Sequence, residues 1–368
     1  MQFILTILLI NAFVLLLCVF LVITNYLLNQ SGKVKLTINN KQENEVERGQ
    51  TLLSACFESG VFLPAACGGK GTCRKCALKV HSGGGKLTTF ERIQLTKEDA
   101  QENVRLACQV KVRENLNIEV DKKAASAAAF KAKLIRSEAI SPKIKILEFE
   151  CGKGGLPSFE PGQYVQVRIP QPWETVLRSY SISSAPGNKL SFTLDVQAVE
   201  GGLVSNMLHH TPVGSELEFC GPFGEMHLPK DYLKSDDKPG VVLIAGGVGL
   251  APMRSIAAAL TENSNGGEIM LFHGAASRSG LYMEKHYRDL EKVYKNFKYF
   301  PALSAPLLED GWVGFEGMVH QLLNAKLEGG ANKICMLCGP KPMMKACEKI
   351  LFNKGFSSDR IYSDPFDF

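Results

Sequence analysis

The chain lacks a strong charge of either sign: 42 Lys and Arg against 37 Asp and Glu leave a formal net charge of +5 over 368 residues. That surplus is spread along the chain and forms no basic stripe, so nothing argues for nucleic-acid binding. No internal repeat is visible. No Lys or Arg precedes Lys33, so the apolar N-terminal run lacks the basic lead-in of a cleaved signal peptide. With 45% hydrophobic and 21% charged residues the composition is globular, and long disorder is not expected. The cysteines, 11 in all, do not read as a disulfide framework. Four cluster at metal-ligand spacing and the rest are scattered in apolar surroundings, the usage of a reducing compartment.

What is present begins with an apolar run from Phe3 to Leu28, interrupted by Thr6, Asn11, Thr24 and Asn25. It exceeds the ~20 residues that span a bilayer. Its first basic followers are Lys33 and Lys35, so the positive-inside rule places the N-terminus outside and the remainder in the cytoplasm. Two to three domains are expected from the length. The alternation Lys33–Ile38 predicts a strand and Thr51–Cys56 the start of a helix, within an α+β unit over 33–121. The biased stretch Lys122–Phe130 reads as a linker. Over 131–230, short runs such as Lys143–Glu150, Gln163–Ile169 and Leu190–Val196 between Pro and Gly turns predict an antiparallel barrel. Over 238–368, the apolar strands Val241–Ala245, Glu268–His273, Phe297–Ala302 and Lys333–Cys338 alternate with helical segments, which predicts an α/β doubly wound sheet.

The strongest chemical signal is Cys67, Cys73 and Cys76, with intervals of five and two residues, followed by the distant Cys108 in Arg105-Leu-Ala-Cys-Gln109. Thiolates bind iron strongly, and a glycine-rich loop wraps three of them around a 2Fe-2S cluster that a remote fourth closes. A structural zinc site prefers paired short spacings on both sides, and here the fourth cysteine stands alone. The pattern resembles plant-type ferredoxins with one extra residue in the first interval, as in adrenodoxin-type ferredoxins. Cys56 reads as a core thiol.

Arg178-Ser-Tyr-Ser181 resembles the flavin motif of the ferredoxin-NADP reductase superfamily. That resemblance implies FAD, with Arg178 on the pyrophosphate, Tyr180 on the isoalloxazine and the catalytic Ser181 near flavin N5. Gly201–Leu208 resembles the second flavin motif, with Gly202, Val204 and Ser205 at the phosphates. For the nucleotide, Gly246, Gly247, Gly249 and Pro252 lie in a glycine-rich strand-to-helix turn that is not a GxGxxG. Cys338-Gly339-Pro340 follows another strand at the sheet edge where open α/β sheets bind ligands. Cys335 and Cys338 are three apart in a strand and so point to opposite faces. Cys335 is expected in the core, and Cys338 is expected to face the nicotinamide as a catalytic residue. Arg278 is expected at the adenosine half of NADH, with a solvated loop arginine as the plain alternative.

In sequence the chain thus runs membrane helix, ferredoxin, flavin barrel and nicotinamide domain. This order resembles the F subunit of the sodium-translocating NADH:quinone oxidoreductase. Further matches are Gly83–Gly85, Gly221-Pro-Phe-Gly-Glu225, Ala251-Pro-Met-Arg-Ser255 and the terminal Asp364-Pro-Phe366. The resemblance implies an inner-membrane NADH dehydrogenase component that delivers electrons to quinone-reducing membrane partners, with the Phe366 ring covering the flavin, although Phe368 is a second candidate. The segment between Ile169 and Arg178 has eight residues, where the family carries a long insertion. The alternative is an NADH-dependent reductase of an oxygenase system, a class that is typically soluble. A non-catalytic membrane adaptor would show broken cofactor motifs, and here they are intact.

Overall fold

The computed structural model describes residues 2–28, 32–121, 127–170, 175–229, 232, 238–262 and 267–366. Gln2–Leu28 form a single helix, α1. By length and composition, Phe3–Thr24 is long and apolar enough to cross a membrane. The Asn11 amide donates to the Ile7 carbonyl at 2.8 Å and the Thr24 hydroxyl to the Phe20 carbonyl. These polar side chains therefore find partners inside the helix, as an apolar surrounding demands.

By internal contacts the chain divides into two compact units: Met1–Leu63, Gly69–Ala125 and Gln171–Glu174 form one, and Pro64–Gly68, Ser126–Pro170 and Thr175–Phe368 the other. In the first, β1 (Lys33–Ile38), β2 (Gln42–Glu47), α2 (Leu52–Glu58), β3 (Ala77–Ser82), α3 (Thr89–Gln94), α4 (Lys97–Gln101), β4 (Val104–Leu106) and β5 (Leu116–Glu119) follow in order. The strands make a mixed sheet of order β2-β1-β5-β3-β4 in which β1 and β5 run parallel. β1 alternates as its sequence predicts, with Val34, Leu36 and Ile38 buried. Thr51 caps α2 by accepting from the Ser54 amide, which satisfies one of the helix's orphan donors.

The second unit opens with β6 (Ala128–Ser141), β7 (Ile144–Cys151), β8 (Tyr164–Pro170), β9 (Thr175–Ser181), β10 (Ser191–Gln197), α5 (Leu203–His210) and β11 (Glu216–Phe223). These strands form an antiparallel sheet of order β10-β7-β6-β11-β8-β9, and an isolated bridge between Ile182 and Leu194 links its two edges. Ala128–Phe130, expected in the linker, already belong to β6. Phe130 anchors that strand by stacking on Phe219 at 5.6 Å. Phe149, Phe192 and Phe219 complete the aromatic core and are fully buried. Each contributes about 1.5–3 kcal/mol by leaving water.

The same unit continues with β12 (Gly240–Gly246), α6 (Leu250–Glu262), β13 (Ile269–Ala275), α7 (Glu284–Val293), β14 (Phe297–Leu303), β15 (Phe315–Glu316), α8 (Val319–Lys326), β16 (Lys333–Pro340), α9 (Lys341–Asn353) and β17 (Ile361–Phe366). The sheet is parallel throughout, of order β15-β14-β13-β12-β16-β17. Val241, Leu243 and Ala245 pack with α6 and α7 on one face. Val242 and Ile244 pack with α8 and α9 on the other. Sheets covered on both faces need continuously apolar strands, and β12 is buried at every position.

Candidate cofactor sites

In the ferredoxin loop, the Cys76 and Cys108 thiols are within hydrogen-bonding reach of each other. That bond, together with burial and repulsion by Cys108, holds Cys76 well above the ordinary thiol range. Two facing thiols resist joint ionisation until a cation lies between them. The donor set therefore fits thiophilic iron. The loop bends through left-handed backbone at Gly69, Gly71 and Arg74. A Cβ at Gly71 would lie 3.0 Å from the Gln109 side chain. Gln109 spans the loop, donating to the Gly69 carbonyl at 3.1 Å and to Cys108 Sγ at 3.5 Å. Cys67, Cys76 and Cys108 are buried and Cys73 is half-buried. Among the described residues no three His, Cys, Asp or Glu side chains converge on one point as a mononuclear metal site asks. A two-iron cluster asks only for pairs of thiolates.

Strand β4, which leads into the Cys108 turn, is held by a buried ion pair. Arg105 Nε and Nη2 donate to the two carboxylate oxygens of Glu91 at 2.8 and 2.9 Å, and the guanidinium also bonds the Gly85 and Lys86 carbonyls. Glu91 further accepts from the backbone amides of Thr88 and Leu106. Burial alone would raise the Glu91 carboxyl, but these donors outweigh it and the pKa lies below the ordinary carboxylate value. Removing one partner of such a pair costs about 3–5 kcal/mol because the other charge stays buried. Glu91→Gln is expected to lower the thermal midpoint of cluster bleaching steeply, with the midpoint of the flavin-binding portion unchanged.

In the flavin motif, Arg178, Tyr180 and Ser181 lie on β9 with Ser181 buried. Arg178 Nη1 donates to the Leu177 carbonyl. Burial drives the Tyr180 phenol well above its usual range, so the hydroxyl stays protonated and its ring packs against the aromatic core. The N-cap of α5 is Gly202, not Ser205. Ser205 is buried, and its Oγ accepts from the Val199 amide at 3.2 Å. A Cβ at Gly202 would lie 2.6 Å from that hydroxyl. Val204 is buried in the core. The loop before α5 is thereby drawn tight, leaving the helix start without a side-chain cap.

Of the residues expected at the nucleotide, Gly246, Gly247 and Pro340 line a cavity of about 670 Å³ at the C-terminal ends of the parallel strands, with Gly274, Ser277 and Met318 among its other walls, whereas Gly249, Pro252, Arg278 and Gly339 do not line it. Ser141, Ile144 and Gln197 of the antiparallel sheet, with Lys143 in the β6–β7 turn, complete its wall. A dinucleotide-sized ligand fits a space of this order. A 3-10 turn at Gly247–Gly249 leads from β12 into α6, where Pro252 is buried. Gly249 allows contact with the Cys338 carbonyl, and a Cβ at Gly246 would strike Met343 and Pro340. Gly339 takes a φ of +153° beside Gly246. Cys338 is fully buried, on the sheet face opposite Cys335, and it is not among the cavity-lining residues. Arg278 pairs with Glu284 at 2.9 Å and stacks over Trp312, while its neighbours Ser277, Ser279 and Gly280 line the cavity. β17 pairs Asp364 with Cys338 and Phe366 with Pro340. The Phe366 side chain and all of Phe368 lie outside the described residues.

Beneath the glycine turn, His273 is completely buried, with Nδ1 3.2 Å from the Tyr299 hydroxyl and Nε2 3.3 Å from the Gly247 carbonyl. Burial lowers its pKa from 6.5 to about 4. Stability from the neutral ring is complete above pH 6.5 and is lost as pH falls towards 4, because the unfolded chain takes up the proton first. The loss amounts to about 3 kcal/mol. Urea unfolding of the wild type between pH 7 and 4 should show this slope in the nucleotide-domain transition, and His273→Gln should flatten it.

Residues 36–113 match the 2Fe-2S iron-sulfur cluster binding domain, 131–228 the oxidoreductase FAD-binding domain and 243–349 the oxidoreductase NAD-binding domain. The F subunit of the Na(+)-translocating NADH-quinone reductase of Neisseria meningitidis is 28% identical over 409 positions, with both chains covered in full. That of Marinomonas sp. is 29% identical over 409 positions, covering 100% of this chain and 99% of the relative. The chain is an NADH oxidoreductase with 2Fe-2S, FAD-binding and NAD-binding domains. Among solved structures, the cytochrome P450 reductase of Amycolatopsis superposes with a TM-score of 0.70 at 26% identity, over 90% of this chain and 98% of the other. The ferredoxin reductase of carbazole 1,9a-dioxygenase shares the fold, with a TM-score of 0.70 at 22% identity, over 92% and 99%.

With these domains the protein uses NADH, FAD and a 2Fe-2S cluster. Its alignment with the Neisseria relative runs over 409 positions against 368 residues here, so the relative carries additional segments. The short segment Gln171–Glu174, where the family's insertion would lie, is outside the described residues. The cavity wall contributed by Lys143 and Gln197 escaped sequence reasoning. So did Asp195, for which a signal was present: an acidic residue inside the apolar run Leu190–Val196.

Proposed function

We propose that this protein is the membrane-anchored NADH-oxidising component of a quinone-reducing complex, passing electrons from NADH through FAD to the 2Fe-2S cluster and on to membrane partners. The observation that carries this reading is end-to-end correspondence: apolar helix, cluster domain, FAD domain and NAD domain stand in one chain that aligns over its whole length with the NADH-quinone reductase relatives. When bound, FAD takes an electron pair from NADH and hands on single electrons that the cluster can carry.

The domain limits proposed are 33–121, 131–230 and 238–368, with the antiparallel sheet as a flavin-binding barrel. Cys67, Cys73, Cys76 and Cys108 are assigned to the cluster. Arg178, Tyr180, Ser181, Gly202, Val204 and Ser205 are assigned to FAD, Arg178 by its guanidinium and the α5 start by its backbone amides. Gly246, Gly247, Gly249, Pro252, Arg278, Gly339 and Pro340 are assigned to NADH. Cys338 is given the nicotinamide-facing role with Ser181, which asks the tail paired beside it to move, and Phe366 the role of flavin cover. The basic residues after α1 support an inner-membrane anchor with the redox domains in the cytoplasm. Among the described residues α1 alone is long and apolar enough to span a membrane, and without Asp, Glu, Lys, Arg or His it offers no ion path. Sodium movement would belong to the membrane partners.

A second reading, a reductase feeding an oxygenase, is favoured by the fit to the P450 reductase. The apolar helix favours the first. Anaerobic addition of NADH to the protein lacking helix α1 should bleach flavin and cluster absorbance together. Bleaching of the flavin alone, with a cluster potential accessible to it, would overturn the electron order. Quinone reduction in membranes that hold the full complex, absent with an oxygenase partner, separates the two readings.

A further inference from the structure

The charged group most completely withdrawn from solvent near the nucleotide turn has no role in the assignments above. Asp195 on β10 has a side chain with no exposure, yet it collects partners from two modules. Arg254 Nη1, on α6, donates to its Oδ1. Ser183 Oγ donates to the same oxygen at 2.8 Å, and Tyr282 donates to Oδ2 at 2.8 Å. Arg254 also reaches Ser183 Oγ at 3.4 Å. Burial and then the Asp195 charge keep the Tyr282 hydroxyl protonated, so it remains a donor.

The location gives the network its meaning. Ser183 stands two residues beyond Ser181 on the flavin side. Arg254 stands about one helical turn into α6, the helix that starts from the Gly247–Gly249 turn. Tyr282 meets the His273 ring edge-on at 5.9 Å, and His273 reaches the Gly247 carbonyl. Two routes, one through α6 and one through His273, thus lead from Asp195 to the nucleotide turn. Apolar packing could hold the modules together as firmly, since buried ion pairs are often replaceable by hydrophobic groups without loss of stability. What charged, directional bonds add is a single register.

We propose that Asp195 is a positioning residue for hydride transfer, holding α6 and the nucleotide turn in register with the flavin strand through Arg254, Tyr282 and Ser183. This rests on the reading of the two modules as NADH and FAD carriers. The test uses Asp195→Asn, Tyr282→Phe and the apolar pair Asp195→Leu with Arg254→Leu, the last leaving no unpaired buried charge. In single-turnover reduction at saturating NADH, each variant should be slowed, and the apolar pair by about 10- to 100-fold, the scale of a misplacement near 1 Å. Its flavin content and cluster signal should match wild type. Hydrogen exchange of the 250–262 amides, measured without nucleotide, should be faster in the apolar pair. A wild-type rate in that pair overturns the proposal, and so does a slowed rate with unchanged exchange, which would mark a local effect on the flavin. If wild-type protein is not reduced by NADH the functional reading fails instead, and the exchange measurement still decides whether the clamp exists.

Discussion

Cys108→Ser yields a protein that keeps its flavin and loses its iron. Cys108 is buried, its thiol faces Cys76, and Gln109 beside it ties the loop to Gly69. Serine offers a harder, far less acidic oxygen in place of a thiolate, and a cluster held by soft donors loses its closing ligand. Iron and sulfide content and the reduced-state EPR signal should fall to near zero. Flavin content and flavin reduction by NADH should persist, since the residues assigned to FAD and NADH lie in one compact unit and Cys108 in the other. Cys56→Ser is the control. Its thiol is fully buried in α2 and pushed up to about 12 by burial, so the hydroxyl costs about 1–3 kcal/mol of stability if left unpaired while the cluster signal remains. An undiminished EPR signal in Cys108→Ser would remove Cys108 from the ligand set. Loss of flavin together with the cluster would show that the cofactors do not load independently.

Gly249→Ala is expected to abolish most reduction by NADH in a protein that still holds both cofactors. A Cβ there would lie 2.4 Å from the Cys338 carbonyl oxygen, 2.8 Å from its carbon and 3.2 Å from Gly339 Cα. All three are backbone atoms of the β16 end, and none can rotate away. The turn after β12 and the end of β16 must separate, at a cost of about 1–3 kcal/mol. That separation displaces the glycine turn at the cavity, and a shift near 1 Å costs on the order of 100-fold in rate. Stopped-flow flavin reduction measures it. Gly247→Ala tells steric from conformational cost in the melting curve: its Cβ meets nothing within 4 Å and its φ is +53°, so only about 1 kcal/mol of left-handed strain applies. Equal melting losses at both positions would show that contact with Cys338 is not what the glycine protects.

Much of the architecture follows from local pattern. The alternation of Lys33–Ile38 and the apolar runs at 241–245 and 333–338 became β1, β12 and β16, because one strand's burial is set by a period of two and by which faces are covered. Cys335 and Cys338 sit on opposite faces for the same reason. The cysteine spacing around Gly68, Gly69 and Gly71 announced a thiolate loop, since such a loop must bend through backbone only glycine adopts freely.

Other features depend on which distant residues meet, which local periodicity does not encode. Ser205, expected at a phosphate, has its hydroxyl taken up by the Val199 amide, six residues back in the chain, while Gly202 caps α5. Arg278 is drawn into a pair with Glu284 and onto Trp312, and Cys338 is sealed in the core shared with α6. The sequence by itself determined the order of domains, the cofactors they hold and the strands that carry the motifs, because each of these is a matter of nearby residues. Only the tertiary structure decided that Asp195, 59 residues from Arg254 and 87 from Tyr282 in the chain, is where two modules share one carboxylate. A buried charge is tolerated only where its partners converge, and their convergence is a property of the packed fold.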